Sequence, residues 1–307
     1  MGYKVSLASY DATGANNADL PEKAILIYEK GQELWSTRTL ADIVKESNVV
    51  IALTEFSATA PLHAFAVEFG IRAASMPGYN NQMAEALSLD FNDVADSVGL
   101  IYSRLMRSDS ADIIFEVEGR DYRLHVDLWN RKPRRDDGNC REKGKVINLP
   151  TGEAFIVPYE GEISGTSSLT NGFLPIGYDG KVSIYKIQNN MIISTLDGTD
   201  DDLMKRIRDD PSVGNIAELG FGVLGKYGIK PCKKILLDEK LILHIALGRS
   251  NHLGGATGVE DFKDPANVWH QDYVYLPDMH IALKEVRLNY HGGKNEIVIR
   301  DGKYLIF

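Results

Sequence analysis

The hydrophobic and polar positions of the first third of the chain alternate between strand-like and helix-like spacing. Short apolar runs typical of strands occur in KAILIYEKG and NVVIALTEF. Between them TLADIVKES has helical spacing, and Thr39 is its predicted N-cap. Strands that alternate with helices are typical of a parallel sheet covered by helices. Residues 1–110 are therefore predicted to form an α/β domain with a mainly parallel sheet.

After about residue 110 the pattern changes to one dominated by strands. One clear helix is predicted, at TDDDLMKRIRDD. Residues 111–307 are predicted to form a mixed, largely antiparallel α+β domain. Its predicted strands lie in ADIIFEVEGRDYRLHVDLWNR, VINLPTGEAFIVPYEG, GKVSIYKIQNNMIISTL, KILLDEKLILHIALG and EIVIRDGKYLIF.

Composition excludes several classes of partner. The 307-residue chain has a formal net charge of −9 at pH 7 and only short runs of Lys and Arg, so nucleic acid is not an expected partner. Cys140 and Cys232 are far apart and form no C-x-x-C pattern, which excludes a disulfide framework and a Cys-based zinc site. No apolar stretch is long enough to suggest a membrane span or a secretion signal. We expect a cytoplasmic protein.

The tetrapeptide WHQD raises the first question about chemistry. On a strand, His270 and Asp272 point to the same face, so a short piece of backbone presents an imidazole beside a carboxylate. Such a pair suits a metal ion. By itself, the H-x-D pattern is more often an ordinary solvated strand face.

Three further residues carry metal-ligating groups at unusual places. Glu153 follows a Pro-Thr-Gly turn, Glu218 is embedded in the apolar stretch IAELGFG, and His244 interrupts the apolar strand LILHIALG. A buried carboxylate needs a partner or a metal. The ordinary alternatives are an exposed Glu beside a turn and a core histidine. The charged residues Asp238, Glu239 and Lys240, just before the His244 strand, are of the types that orient metal ligands, and a solvated turn between strands explains the same letters.

Taken together, the five residues predict a site for divalent metal ions. Two imidazoles and three carboxylates are more ligands than one catalytic ion with an open position normally uses. Two ions that share a bridging carboxylate account for the number. Such a pair lowers the pKa of a bridging water and polarises a carbonyl, which is hydrolytic chemistry.

The stretches that hold these residues resemble the metallo-aminopeptidases typified by aminopeptidase T and aminopeptidase S. The resemblance implies a two-domain homodimer that cleaves the N-terminal bond of a small peptide, or a related amide, with two Zn, Co or Mn ions. The implied metal ligands are Glu153, Glu218, His244, His270 and Asp272, and Glu153 also has a catalytic role. Five motifs carry the resemblance, in order along the chain: SMPG, NLPTGE, AELGFG, LLDEKLILHIALG and WHQD.

The sequence departs from that family at two places. Seven residues after the His of HIALG the family has a Tyr, and this chain has Asn251, whose carboxamide cannot do the acid-base work of a phenol. The neighbouring His252 is the candidate to replace it, so both residues are included among the catalytic candidates. The first domain is also shorter than in the family's peptidases.

Two alternatives to the hydrolase stay open. The chain is similar to a shortened relative, 2,5-dihydroxypyridine dioxygenase, which implies one Fe(II) ion on His244, His270 and Asp272, with Glu153 as a nearby base. Retention of Glu153 and Glu218 favours the hydrolase. The other alternative is a catalytically degenerate scaffold that binds a peptide or protein partner in a biosynthetic pathway. Retention of all five ligand types argues against it, because unpaired buried charges are costly.

Overall fold

The structure is a computed structural model that describes residues 3–14, 18–178, 180–277 and 280–307. It is a mixed α and β protein in which most strands pair antiparallel. In chain order the strands are β1 (Ser6–Ser9), β2 (Lys23–Glu29), β3 (Gln32–Thr39), β4 (Val49–Ala52), β5 (Arg72–Ser75), β6 (Ser108–Val117), β7 (Arg120–Asp127), β8 (Arg134–Asp136), β9 (Val146–Asn148), β10 (Glu153–Ile156), β11 (Asn171–Tyr178), β12 (Lys181–Gln188), β13 (Met191–Thr195), β14 (Ile216–Gly222), β15 (Leu243–Gly248), β16 (His270–Val274), β17 (Ala282–Tyr290), β18 (Asn295–Arg300) and β19 (Lys303–Tyr304).

The α-helices are short, and the longest of those described has 15 residues. Within the described ranges, each helix is too short or too polar to cross a lipid bilayer. In chain order they are α1 (Leu40–Lys45), α2 (Thr59–Phe69), α3 (Ala84–Leu87), α4 (Phe91–Leu105), α5 (Asp202–Asp209) and α6 (Ile235–Asp238).

Contacts divide the chain into two compact units. The first consists of Met1–Phe91 and Gly138–Thr151, and the second of Asn92–Asp137 and Gly152–Phe307. The sequence boundary near residue 110 lies inside the second unit. The return of a later segment to the first unit is not visible in the sequence pattern, because a pairing between distant strands leaves no local periodicity.

The first unit contains two three-stranded sheets of different kinds. Strands β1, β2 and β3 form an antiparallel sheet, whereas β4, β5 and β9 pair in parallel. A mainly parallel sheet was expected, and only the second sheet has that form. The physical reason is a two-residue turn: Lys30 and Gly31 both have positive φ, at 50° and 90°, and such turns fold adjacent strands into a hairpin. Strand β2 therefore pairs with β3 and not with β4.

Helix α1 begins where the sequence predicts. The Thr39 side chain accepts a hydrogen bond from the Asp42 backbone N–H at 3.2 Å, as an N-cap does. Leu40 and Val44, four positions apart on one helix face, are buried in the apolar core of this unit together with Leu62 of α2. The N-cap prediction is confirmed.

The second unit is built on two antiparallel sheets. The larger has the strand order β13-β12-β11-β7-β6-β17-β18-β19, and the smaller has the order β16-β15-β14-β10-β8. Tyr275, which follows β16, contacts the ring of Phe115 on β6 at a centroid distance of 4.6 Å and donates a hydrogen bond to the Pro175 carbonyl of β11. The two sheets therefore pack together. The expectation of a largely antiparallel second domain is confirmed.

Candidate metal centre

The smaller sheet of the second unit carries all five predicted metal ligands. Glu153 opens β10, Glu218 lies in β14, His244 lies in β15, and His270 and Asp272 lie in β16. Strands β14 and β15 are buried along their whole length. A strand buried on both faces reads as a continuous apolar run, which is why the acid and the imidazole stand out there.

The strand register sets these side chains side by side. Ala246 is the partner of both Glu218 on one side and Asp272 on the other. A register shift between Ile216 and Glu218, a β-bulge, brings Glu218 into that row. His244 lies two residues before Ala246 and so projects from the same face. The small Ala246 side chain leaves room between the two carboxylates.

The glycines of AELGFG make room for the site. Gly220 is the cross-strand partner of His244, and a Cβ at Gly220 would overlap the His244 imidazole. Gly222 is the partner of Glu153, and a Cβ there would overlap the backbone carbonyl of Lys240. Gly220 and Gly222 lie on the same face of β14 as Glu218. Neighbouring groups cover this face, so a larger residue would not fit at either glycine.

The charged groups of the five residues lie within a few ångströms of one another. Glu218 Oε1 is 3.4 Å from His244 Nε2, and Glu218 Oε2 is 3.2 Å from His270 Nε2. His270 Nε2 is also 3.6 Å from Asp272 Oδ1. Glu153 Oε2 is 3.6 Å from His244 Nε2. Each oxygen of Glu218 thus faces a different imidazole.

These distances define two possible ion positions that share Glu218. The first group is Glu153, Glu218 and His244, and the second is Glu218, His270 and Asp272. In each group one ligand atom per residue lies within 4.8 Å of the others. Below, the first group is called the Glu153 position and the second the Asp272 position.

Both histidines are oriented by backbone carbonyls. His244 Nδ1 is 2.9 Å from the Glu239 carbonyl oxygen, and His270 Nδ1 is 2.8 Å from the Arg249 carbonyl oxygen. A carbonyl only accepts hydrogen bonds, so Nδ1 carries the proton in both rings. Nε2 is then directed at the carboxylates. This arrangement is typical of metal-bound histidines, whose second nitrogen is fixed by a backbone or carboxylate partner.

The carboxylates need cationic partners at this depth. Burial alone would lower the pKa of His244, but its hydrogen bond to Glu218 and the charge of Glu153 raise it to about 9. Burial opposes the charge of His270 as well, and Asp272 and Glu218 nevertheless hold its pKa well above the usual value. Either protons on Nε2 or metal ions between Nε2 and the carboxylates can supply the positive charge.

Within the described residues, three buried side-chain oxygens lack a hydrogen-bond partner, and one of them belongs to this site. Glu153 Oε2 is shielded from solvent and has no donor within hydrogen-bonding distance. An unsatisfied buried carboxylate oxygen is costly unless something else binds it. It faces His244 Nε2, the neighbouring nitrogen donor. The residues therefore fit a bound divalent ion at the Glu153 position.

The structure also places at this site two residues, Glu239 and Lys240, for which the sequence left two interpretations open. Lys240 is only 3% exposed, and its ammonium contacts Glu153 Oε1 and, at 2.7 Å, Glu239 Oε1. Of those two interpretations, the solvated turn is wrong for both residues, because the segment after α6 is covered by packing against β14.

The two remaining catalytic candidates lie in the short helical turn Asn251–Leu253. The ring of His252 packs edge-on against the ring of His270 at a centroid distance of 5.1 Å. Desolvation and the positive charges of His270 and Arg249 lower the pKa of His252 to about 4, so this imidazole is neutral at pH 7. Asn251 is exposed, and its amide oxygen accepts a hydrogen bond from Arg249 Nε at 2.7 Å.

The fold of the chain is similar to that of solved structures. The structure of 2,5-dihydroxypyridine dioxygenase from Pseudomonas putida KT2440 matches with a TM-score of 0.57 over 86% of this chain and 74% of that chain, at 16% sequence identity. The chain shares the fold of this dioxygenase. At that identity the likeness is a distant structural relationship.

A second solved structure, wild-type AmpT from Thermus thermophilus, an aminopeptidase T, gives a TM-score of 0.46 at 16% identity. That match covers 70% of this chain and 55% of AmpT. No protein-family model matches the sequence, and no curated protein does either. Both matched structures are enzymes.

Proposed function

We propose that the chain is a metal-dependent hydrolase that cleaves an N-terminal peptide bond or a related amide in a small substrate. The observation that carries the proposal is the position of Glu218 between two groups of ligand atoms, with one carboxylate oxygen toward each. A shared carboxylate is the feature that a two-ion centre needs and that a single ion does not.

The five ligand residues would hold two metal ions. Glu153, Glu218 and His244 would hold one divalent ion, and Glu218 with His270 and Asp272 would hold the other. Imidazole and carboxylate donors suit Zn, Co or Mn. Such ions, when bound, supply a water of lowered pKa and polarise the substrate carbonyl.

Two further groups lie at the edge of this cluster. His252, beside His270, is a neutral imidazole at pH 7, and its lowered pKa makes it a weak base, so it is better suited to hydrogen bonding with the substrate than to taking up a proton. Asn251 offers an amide where the aminopeptidases have a phenol, so it is suited to hydrogen bonding with the substrate and not to proton transfer.

The proposal is tested by measuring metal content and activity on the same preparation. We expect protein purified without oxygen to hold about two Zn, Co or Mn ions per chain and to cleave aminoacyl-p-nitroanilides. Chelation should abolish the cleavage and one of these metals should restore it. A chain without bound metal and without cleavage would contradict the proposal and support a binding scaffold.

A second candidate function is a ring-cleaving dioxygenase with one Fe(II) ion. Two observations favour it: the fold shared with 2,5-dihydroxypyridine dioxygenase, and the ammonium of Lys240 on Glu153, which offsets one of the three carboxylate charges. His244, His270 and Asp272 would hold the iron in this case. Burial raises the pKa of Glu153, as suits a nearby base. About one iron per chain, with oxygen uptake on dihydroxypyridines and no amide cleavage, would establish this function instead.

We also propose that the chain forms a homodimer. Val49 and Ile51 lie on one face of the edge strand β4 and Leu53 directly follows that strand; they are 47%, 59% and 62% exposed. Light scattering is expected to give twice the 34.0 kDa chain mass, and Ile51→Glu should shift it to one chain mass. Val67→Glu, at an exposed apolar position of α2, is the matched control. A monomeric wild-type protein would contradict the dimer.

A further inference from the structure

Lys240 is a buried cation at only one of the two ion positions. It lies between α6 and β15, and its backbone carbonyl accepts a hydrogen bond from the Leu224 N–H at 2.8 Å. Its ammonium contacts Glu153 and Glu239. The side chain is enclosed, so the charge is not dispersed by solvent as a surface lysine's would be.

The Asp272 position has no comparable cation. Among the residues that the structure describes, Glu218 and Asp272 form ion pairs with histidines alone. Both carboxylate charges at that position are therefore available to a metal ion. At the Glu153 position, one carboxylate oxygen is already bound by an ammonium, and Glu153 Oε2 is the oxygen left for a metal.

We propose that Lys240 makes the two ion positions unequal, so that the Asp272 position binds a divalent ion tightly and the Glu153 position binds a second ion more weakly. The inference rests on the proposed two-ion function. The physical reason is Coulombic: a buried ammonium beside a ligand carboxylate repels a dication and offsets part of the carboxylate's attraction. Glu239 moderates the effect because its Oε1, 2.7 Å from the ammonium, shares that charge with Glu153.

Lys240 is a positioning residue, and its two effects on Glu153 oppose each other. Its hydrogen bond fixes the carboxylate and leaves Oε2 facing His244. Its charge repels the ion that Oε2 would bind. The repulsion acts on a doubly charged ion in a buried site, whereas loss of the hydrogen bond frees one side-chain rotamer. Removal of the charge should therefore strengthen metal binding at the Glu153 position.

The test is titration of the chelator-treated full chain with Zn²⁺ in a calorimeter. For the wild-type chain we expect two binding events whose dissociation constants differ by at least about 100-fold. In Lys240→Met the weaker event should tighten by at least about tenfold, or about 1.4 kcal/mol, with the tighter event unchanged. In Glu239→Gln the weaker event should weaken, because the ammonium then rests on Glu153 alone.

The control variant is Lys226→Met. The Lys226 ammonium contacts Ser97 and lies over the ring of Phe307, outside the candidate metal centre, so both binding events should stay at the wild-type values. Thermal unfolding of each variant shows whether it folds. If Lys240→Met does not fold, Glu239→Gln still tests the inference. This variant keeps the lysine, and its weaker binding event is expected to weaken, whereas that of Lys240→Met is expected to tighten.

The outcomes separate this inference from the proposed function. Two wild-type events of equal affinity, or an unaltered weaker event in either variant, would overturn the role of Lys240 and leave the two-ion hydrolase standing. A wild-type chain that binds no Zn²⁺ at all and cleaves no amide would overturn the proposed function itself. Unequal events that move in opposite directions in the two variants would establish the inference.

Discussion

Glu218→Gln is expected to remove metal binding at both positions and to reduce amide cleavage by well over 100-fold. Mutation of a residue that only orients a metal ligand typically lowers metal affinity or activity by about 10- to 100-fold. Mutation of a ligand shared by two ions should lower both by more. Gln has the same shape, but it offers one neutral carbonyl oxygen and an NH₂ group, which donates where a metal needs an acceptor. Among the residues that the structure describes, Glu218 is the ligand that both groups share.

Metal analysis after dialysis and amide cleavage at saturating metal are the measurements. Glu162→Gln is the matched control, since Glu162 pairs with Arg131 and belongs to neither ion position. The control should keep the wild-type metal content and rate. Glu218→Gln with two ions bound at wild-type affinity would refute the shared-ligand geometry.

Gly220→Ala is expected to cost stability and metal binding together. The new Cβ would overlap the His244 imidazole, which is 1% exposed and fixed by its hydrogen bond to the Glu239 carbonyl. Overpacking in a dense interior typically costs about 1–3 kcal/mol in the free energy of unfolding. Displacement of the ring also moves Nε2 away from Glu218, so metal affinity should fall as well.

Urea unfolding of the metal-free chain measures the stability change. Gly99→Ala is the control, because Gly99 lies in α4 with nothing within 4 Å of the added Cβ, and it should be neutral or stabilising by up to about 1 kcal/mol. In a His244→Ala background the Gly220→Ala cost should nearly vanish, since the ring is gone. An undiminished cost there would show that the His244 ring is not the cause.

The sequence specifies much of the local structure because its signals are local. The helical pattern after Thr39 and its capping side chain suffice to place α1, and the apolar runs suffice to place β2, β4 and β15. The candidate ligands could be found in the sequence because charged or titratable side chains are unusual within an apolar strand. Glu218 and His244 are of this kind, and both are buried in the structure.

Pairing between distant segments could not be predicted in the same way. Strand β9 pairs with β5, where Ile147 is the partner of Ala74, although the two residues are far apart in the chain. Strand β2 pairs with β3 in a hairpin and therefore does not belong to the parallel sheet. Strand periodicity reports which residues face a core but carries no information on which strand will be the neighbour. The mainly parallel first domain was expected for that reason.

The amino-acid sequence by itself determined the ligand types of the candidate site and the secondary structure that bears them. Both can be recognised locally, because each depends on how a residue differs in polarity from its neighbours in the chain. Only the tertiary structure decided that Glu218 lies between two imidazoles and that Lys240 is enclosed beside Glu153. Those relations depend on strand register and on the cover that other segments provide. The charge environment of a metal site is therefore a property of the assembled fold, since burial is what gives a single ammonium its effect.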